Sequence, residues 1–231
     1  MTTSNGIVVP VAVIFVLLML VMPVSAYSDE AVGWYSQGNA LLQSQNYTAA
    51  VFAYNHAIAL EPQYFEAMNA KADALNRNQS FVDALSASDQ SLSVNPNYVT
   101  GWINRGQILY NIGYVYEDQF HNITKADEYY NYQLNAFDKA IALDPNNAEA
   151  WFNKAYALAG MKRYDEAIDA FDKVGALNPN YPNLAKNREI AIQLRDAATP
   201  FYVKYSGVLV GIIGICAIIL LWFFFLREKP E

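Results

Sequence analysis

The sequence predicts an all-α chain of antiparallel helix pairs repeated in series, and three observations predict it. First, the stretch from Ala148 to Tyr181 carries two apolar stripes at helical spacing: Trp151, Ala155 and Leu158, then Ala167, Phe171 and Val174. Second, Pro62, Pro96, Pro145 and Pro179 each close such a run, in ALEPQY, SVNPNY, ALDPNN and ALNPNY. The interval from Pro62 to Pro96 equals that from Pro145 to Pro179, while the one from Pro96 to Pro145 is longer. Third, one further interval recurs, from Trp34 to Pro62, from Met68 to Pro96 and from Trp151 to Pro179; the longer gap displaces Trp102 from it. One helix pair cannot bury its own apolar stripe, so a chain that repeats it stacks the copies into a solenoid.

The chain opens with Ile7 to Met22, sixteen residues without a charge, followed by Val24-Ser25-Ala26. Small residues at that spacing after an apolar run predict a secretory signal peptide over 1–26, with an uncleaved N-terminal membrane helix as the alternative. Four repeats follow over 31–181, as 31–64, 65–98, 99–147 and 148–181. In the first, Trp34, Gly38, Leu41, Tyr47, Ala50, Tyr54 and Ala57 occupy the expected slots. The second is the weakest, with Met68 in the tryptophan slot and Ser88 and Ser91 where an aromatic and an alanine pack elsewhere. Less apolar area there predicts the least stable helix of the set, with water left in it.

The third repeat carries about fifteen extra residues, near 114–129, and Gln133 in an alanine slot. Fifteen residues make about four helical turns, so each of its helices is expected to grow by about two turns into a hairpin that projects as a spike. Tyr116, Phe120, Tyr129 and Tyr130 are expected to pack along it. After the fourth repeat, 183–196 reads as a capping helix with Leu184, Arg188, Ile190, Ile192 and Leu194 over the open end, and 197–205 as a linker broken by Pro200. Val208 to Leu226 is 19 residues without a charge, about 28 Å of helix against a hydrocarbon core of roughly 30 Å. This predicts a transmembrane helix over 206–226. Arg227 and Lys229 then place the 227–231 tail in the cytoplasm and the repeats outside it.

The pattern W-x-x-x-[GA]-x-x-L…[YF]-x-x-A…[YF]-x-x-A…P resembles the tetratricopeptide repeat. The resemblance covers Ala31 to Tyr181 and implies a right-handed solenoid with a concave inner face lined by the first helix of each pair. In this sequence that face is expected to hold Tyr35, Asn39, Leu42, Asn69 and Asp73, and further along Ile103, Gln107, Tyr110, Phe152 and Tyr156. Rings and amides of this kind suit an extended peptide or a partner helix. Some members of the family hold a C-terminal carboxylate with a lysine and asparagines. Only Asn39 matches that scheme here, and Tyr35 stands where the first lysine would be, so no such clamp is expected. In layout the chain is similar to signal-plus-anchor repeat proteins of methanogenic archaea.

Composition narrows the chemistry. Hydrophobic residues make up 54% of the chain, and the excess lies in the two end blocks; the net charge of −7 belongs to the repeats and their flanks. An acidic surface argues against nucleic acid, which needs a basic stripe. The single cysteine, Cys216, sits in the last apolar block and leaves the repeats without thiol or zinc chemistry. No phosphate loop, nucleophile elbow or acid–base pair is present, so neither enzyme activity nor a cofactor is expected. Of the two histidines, His56 reads as a surface residue. His121 lies near Glu117, Asp118, Asp127 and Glu128, a set that reads as a solvated face before it reads as a cation site.

Three sequons, at Asn46, Asn78 and Asn122, fall at the turns within repeats and mark candidate glycosylation sites on an extracytoplasmic chain. Asparagine also favours turns and helix caps for its own hydrogen bonding. Gly207, Gly211 and Gly214 put small residues on one stripe of the last helix, which permits helix packing and a homodimer. The expected function is a membrane-anchored scaffold outside the cytoplasm that binds a protein or peptide for assembly or organisation of envelope proteins. The alternatives are a glycosylated structural component of the envelope, or an accessory subunit of a membrane enzyme or translocase.

Overall fold

The computed structural model describes residues 27–204 and 206–227, and the signal segment expected over 1–26 lies outside them. The chain divides into two compact units, Met1–Ile108 and Leu109–Glu231. The first holds α1 (Asp29–Gln43), α2 (Tyr47–Leu60), α3 (Phe65–Arg77), α4 (Phe81–Val94) and the start of α5 (Val99–Asp118). The second holds the rest of α5, α6 (Ile123–Leu143), α7 (Ala148–Gly160), α8 (Tyr164–Leu177), α9 (Leu184–Ala198), α10 (Phe201–Lys204) and α11 (Ser206–Arg227). Within each unit, consecutive helices pack in series: α1 on α2, α2 on α3 and α3 on α4, then α6 on α7, α7 on α8 and α8 on α9.

Small residues let the paired backbones approach. Ala31, Ala50, Ala57, Ala67, Ala72 and Ala74 in the first unit, and Ala136, Ala140, Ala150, Ala155 and Ala167 in the second, are all fully buried. Gly38 is the tightest case, since a Cβ there would sit 2.5 Å from the ring of Tyr54, itself fully buried. The Tyr54 hydroxyl then donates to Asn39 Oδ1 at 2.8 Å, so the ring is fixed at both ends.

Two recurring turns set the register. Between repeats, Asn95, Asp144 and Asn178 each precede a proline and accept at Oδ1 from the N–H two residues on, while the N–H of the third residue closes back on their carbonyls. That is a β-turn with proline at its second position and an Asx contact across it. The indoles of Trp102 and Trp151 donate to the carbonyls of Pro96 and Pro145, six residues earlier in each case, and so tie the next helix to the turn. Within repeats, the second residue past the end of the first helix is left-handed: Gln45 at φ 62°, Gln79 at 63° and Lys162 at 61°. Asn46, Ser80 and Arg163 then donate to carbonyls five residues back, which satisfies the open end of the helix.

A charged pair recurs beside these turns. Asp89 pairs with Arg105, Asp138 with Lys154 and Asp172 with Arg188, always at the same sequence spacing. Arg105 and Lys154 also lie over the rings of Trp102 and Trp151. All are at the surface, so each contributes at most about 1 kcal/mol. Their use is as markers: Arg188 puts α9 in the place of the first helix of a further repeat, with Ala185 where the tryptophan would be.

In the second repeat Ser88 and Ser91 are fully buried. Ser91 Oγ donates to the Phe65 carbonyl at 2.8 Å, while Ser88 Oγ has no partner among the described residues.

The anchor expected over 206–226 is corrected here. The stretch is helical as α11, but among the described residues no helix is long and apolar enough to cross a membrane. The single-pass location, with a cytoplasmic tail and the repeats outside, is corrected with it. Gly207, Gly211 and Gly214 face open space.

Two outcomes follow from the packing. Gly38→Ala forces a methyl into the locked Tyr54 ring and is expected to destabilise the chain by about 1–3 kcal/mol. Gly160→Ala, where an added Cβ meets nothing within 4 Å, stabilises it by up to about 1 kcal/mol; urea denaturation of both variants checks the contrast. The second outcome concerns alkali. Burial, then the neighbouring Tyr35 and Glu66, push the Tyr64 phenol up to about 12, and burial raises Tyr54 further. Unfolded tyrosine titrates near 10. The folded state therefore holds these protons while the unfolded state loses them. Their contribution is complete below about pH 10 and is lost as pH rises through the folded values. Melting temperature should fall between pH 9 and 12, and Tyr54→Phe with Tyr64→Phe should lessen the fall.

Candidate functional site

Helices α5 and α6 are 20 and 21 residues long, against 13 to 15 for α1 to α4, α7 and α8. The added length forms an antiparallel hairpin from the C-terminal half of α5 and the first half of α6, within the second unit. Gly113 makes it possible, because a Cβ there would lie 2.7 Å from the Tyr130 ring. One side of the hairpin is held by rings: Tyr116 stacks on Tyr129 at 5.4 Å and meets Phe120 at 5.6 Å. Lys125 lies over Tyr129 and pairs with Glu128, which also accepts from the Tyr132 hydroxyl.

The other side of the hairpin faces α7 and α9 across a cavity of about 590 Å³. Tyr110 and Tyr114 come from one face of α5, with ring centroids 6.4 Å apart. Tyr130 of α6 lies 6.0 Å from Tyr110, and its hydroxyl donates to Glu117 Oε2 at 2.6 Å. Gln133 of α6 adds an amide, Tyr156 and Met161 close the α7 side, and Ile190 and Leu194 of α9 supply an apolar wall. Asp118 and His121 stand beside Glu117 at the hairpin end. The rings are accessible: Tyr110 is 39% exposed, Tyr114 50% and Tyr156 57%.

Burial and neighbouring groups raise two of the phenols, Tyr130 and Tyr110. Burial, then the hydrogen bond to the Glu117 carboxylate, hold the Tyr130 proton well above the usual phenol range. Burial, then Tyr156 and Tyr114, raise Tyr110 as well. At neutral pH the site therefore offers ring faces, hydroxyl donors and carboxylates. Among the described residues no group of three or more His, Cys, Asp and Glu is placed to hold a metal ion.

The residues expected on the inner face divide into two groups. Tyr110 and Tyr156 line the cavity together, and Phe152 packs beneath on Phe171 and Tyr181. In the first unit most are taken up by packing. Tyr35 meets Tyr54 and Tyr64, Leu42 packs beside Tyr54, and Asn39 accepts from Tyr54. Asp73 pairs with Arg77, and Gln107 is exposed. Asn69 and Ile103 are buried, and Asn69 accepts twice from Asn104 Nδ2 through its carbonyl and its side chain. The sequence reading omitted Tyr114, Glu117, Tyr130 and Gln133 from the groove. Tyr110, Tyr114 and Glu117 lie at i, i+4 and i+7, the spacing of one helix face, and Gln133 had already departed from its repeat slot.

Other expected sites are accounted for locally. His56 is half-buried, stacked on Trp34 at 4.5 Å and set edge-on to Phe52 at 4.4 Å, rather than lying free on the surface. Asn46 and Asn122 cap α2 and α6 by accepting from Ala49 and Lys125 N–H, and Asn78 ends α3; all three are exposed.

Comparison with known proteins bears on two stretches of the chain and on the fold. Two tetratricopeptide-repeat family models match, over residues 35–99 and 136–169. No curated protein sequence matches the chain. Among solved structures, a thermophilic TPR protein of Thermus thermophilus is similar at 17% identity, with 78% of this chain and 99% of that one covered and a TM-score of 0.59. MamA of Desulfovibrio magneticus RS-1 is similar at 17% identity, 76% and 100% coverage and a TM-score of 0.54. YrrB, a TPR protein with an unusual peptide-binding site, is similar at 17% identity, 73% and 79% coverage and a TM-score of 0.53. At these identities the likeness concerns the fold alone, and together with the two matched stretches it identifies a chain that contains tetratricopeptide repeats.

Proposed function

We propose that this chain is a non-catalytic scaffold that binds a peptide or an extended segment of a partner protein in the cavity between the α5–α6 hairpin, α7 and α9. The observation that carries the reading is the convergence of four tyrosines on a concave site of about 590 Å³ with an apolar wall. Such a volume falls within the usual range of about 300–1,000 Å³ for binding sites. Exposed aromatic rings give large contact area at low conformational cost. Repeat folds of this kind commonly serve as interaction modules, and YrrB offers a structural relative with a peptide site; both are arguments from fold.

A second reading takes the hairpin end as the docking element of an accessory subunit. Phe120 at 65% exposure and Ile123 at 56% support it, because apolar side chains so exposed at a tip suit a partner surface.

Selection of random peptides on the immobilised full chain tests the first reading. Selected peptides should lose roughly tenfold or more in affinity on Tyr156→Ala or Tyr110→Ala, a loss of about 1.4 kcal/mol or more, with melting temperature little changed. Affinity unaffected by either variant would move the site elsewhere, and sensitivity to Phe120→Ser instead would favour the docking reading.

A further inference from the structure

We infer that the occupant of this cavity is cationic: a peptide segment presenting lysine or arginine between apolar residues. The inference rests on the peptide-binding reading above and adds the chemistry of the ligand. Its basis is an imbalance of charge. Glu117 and Asp118 both line the cavity, and among the described residues no lysine or arginine does. Among the described residues neither carboxylate belongs to an ion pair. Glu117 accepts from the neutral Tyr130 hydroxyl, which satisfies one oxygen without cancelling the charge.

The rings beside these carboxylates favour the same ligand. The face of a tyrosine carries the negative part of its quadrupole and attracts an ammonium or guanidinium group. Tyr110, Tyr114 and Tyr156 are all accessible to one. The long apolar stem of such a side chain needs a dry surface, and Ile190 and Leu194 provide it. A carboxylate ligand would meet repulsion, and a purely apolar one would strip water from Glu117 and Asp118 with nothing in return. The net charge of −7 draws a basic segment toward the chain from a distance.

Three matched peptides test the inference. They share their apolar residues and carry lysine, glutamine or glutamate between them, and their binding to the full chain is measured by fluorescence anisotropy at low salt. The lysine peptide should bind about tenfold tighter than the glutamine peptide, and the glutamate peptide weakest. Glu117→Gln with Asp118→Asn should remove the advantage of lysine, and the amide at 117 still accepts from Tyr130. Glu30→Gln with Asp169→Asn removes the same charge outside the cavity lining and should leave the preference intact. Equal binding of the lysine and glutamine peptides, with both lost on Tyr156→Ala, would overturn the cationic preference while peptide binding stands. A lysine preference that survives Glu117→Gln with Asp118→Asn, or that falls equally in the control, would also overturn it. Binding of none of the peptides would overturn both readings.

Discussion

The close approach of paired helix backbones is the constraint on which the rest of this structure depends. Where one helix carries no side chain or only a methyl, its partner can turn a ring or a branched chain into the gap. Gly38 receiving Tyr54 is the tightest example in the first unit, and Gly113 receiving Tyr130 is its counterpart in the second. At full burial such a ring contributes stability in proportion to the apolar area it loses to water, on the order of 25 cal/mol per Å². The alternation of small and large then repeats wherever the turns restore the register. Asparagine or aspartate before proline sets one turn, and a left-handed glutamine or lysine sets the other.

The same exchange that stabilises the fold also builds the candidate site. Because Gly113 lets Tyr130 lie against α5, the phenol reaches Glu117 and its ring joins Tyr110 as part of the cavity wall. The added turns of α5 supply Tyr114, Glu117 and Asp118, and the bend before α6 supplies His121, which repeats of ordinary length do not have. Helix α9 continues the register through Arg188 and Asp172, and so sets Ile190 and Leu194 opposite the hairpin. A packing rule, an insertion and a terminal helix therefore converge on one concavity.

Much of the fold was legible because its signals are local. Proline spacing, the tryptophan slots and helical apolar stripes depend on residues within one or two turns of each other, and they located the repeats and the extra length in the third. The site was less legible, since it depends on which of two helix faces a residue occupies. Asn69 and Ile103, expected on the inner face, are buried, and a shift of about 100° around a helix separates one position from the next. Tyr130 was expected to pack along the hairpin with Tyr129, yet the two project to different sides, one to the cavity and one to Tyr116. Composition misled in one place: an uncharged run at 208–226 read as a membrane span, and the described helices do not include one. The hydrogen bond that accommodates Ser91 was also out of reach, because a hydroxyl that finds a backbone carbonyl in a different helix leaves no pattern in sequence.

The central claim is that the tyrosine-walled cavity of the second unit is where a partner polypeptide sits. Photo-crosslinking tests it most directly: a selected peptide carrying benzophenone is irradiated with the full chain, and the attachment points are mapped by mass spectrometry. The account predicts crosslinks concentrated on α5 beyond Leu109, α7 around Tyr156 and α9 around Ile190. Crosslinks confined to the first unit, on α1 to α4, would contradict it.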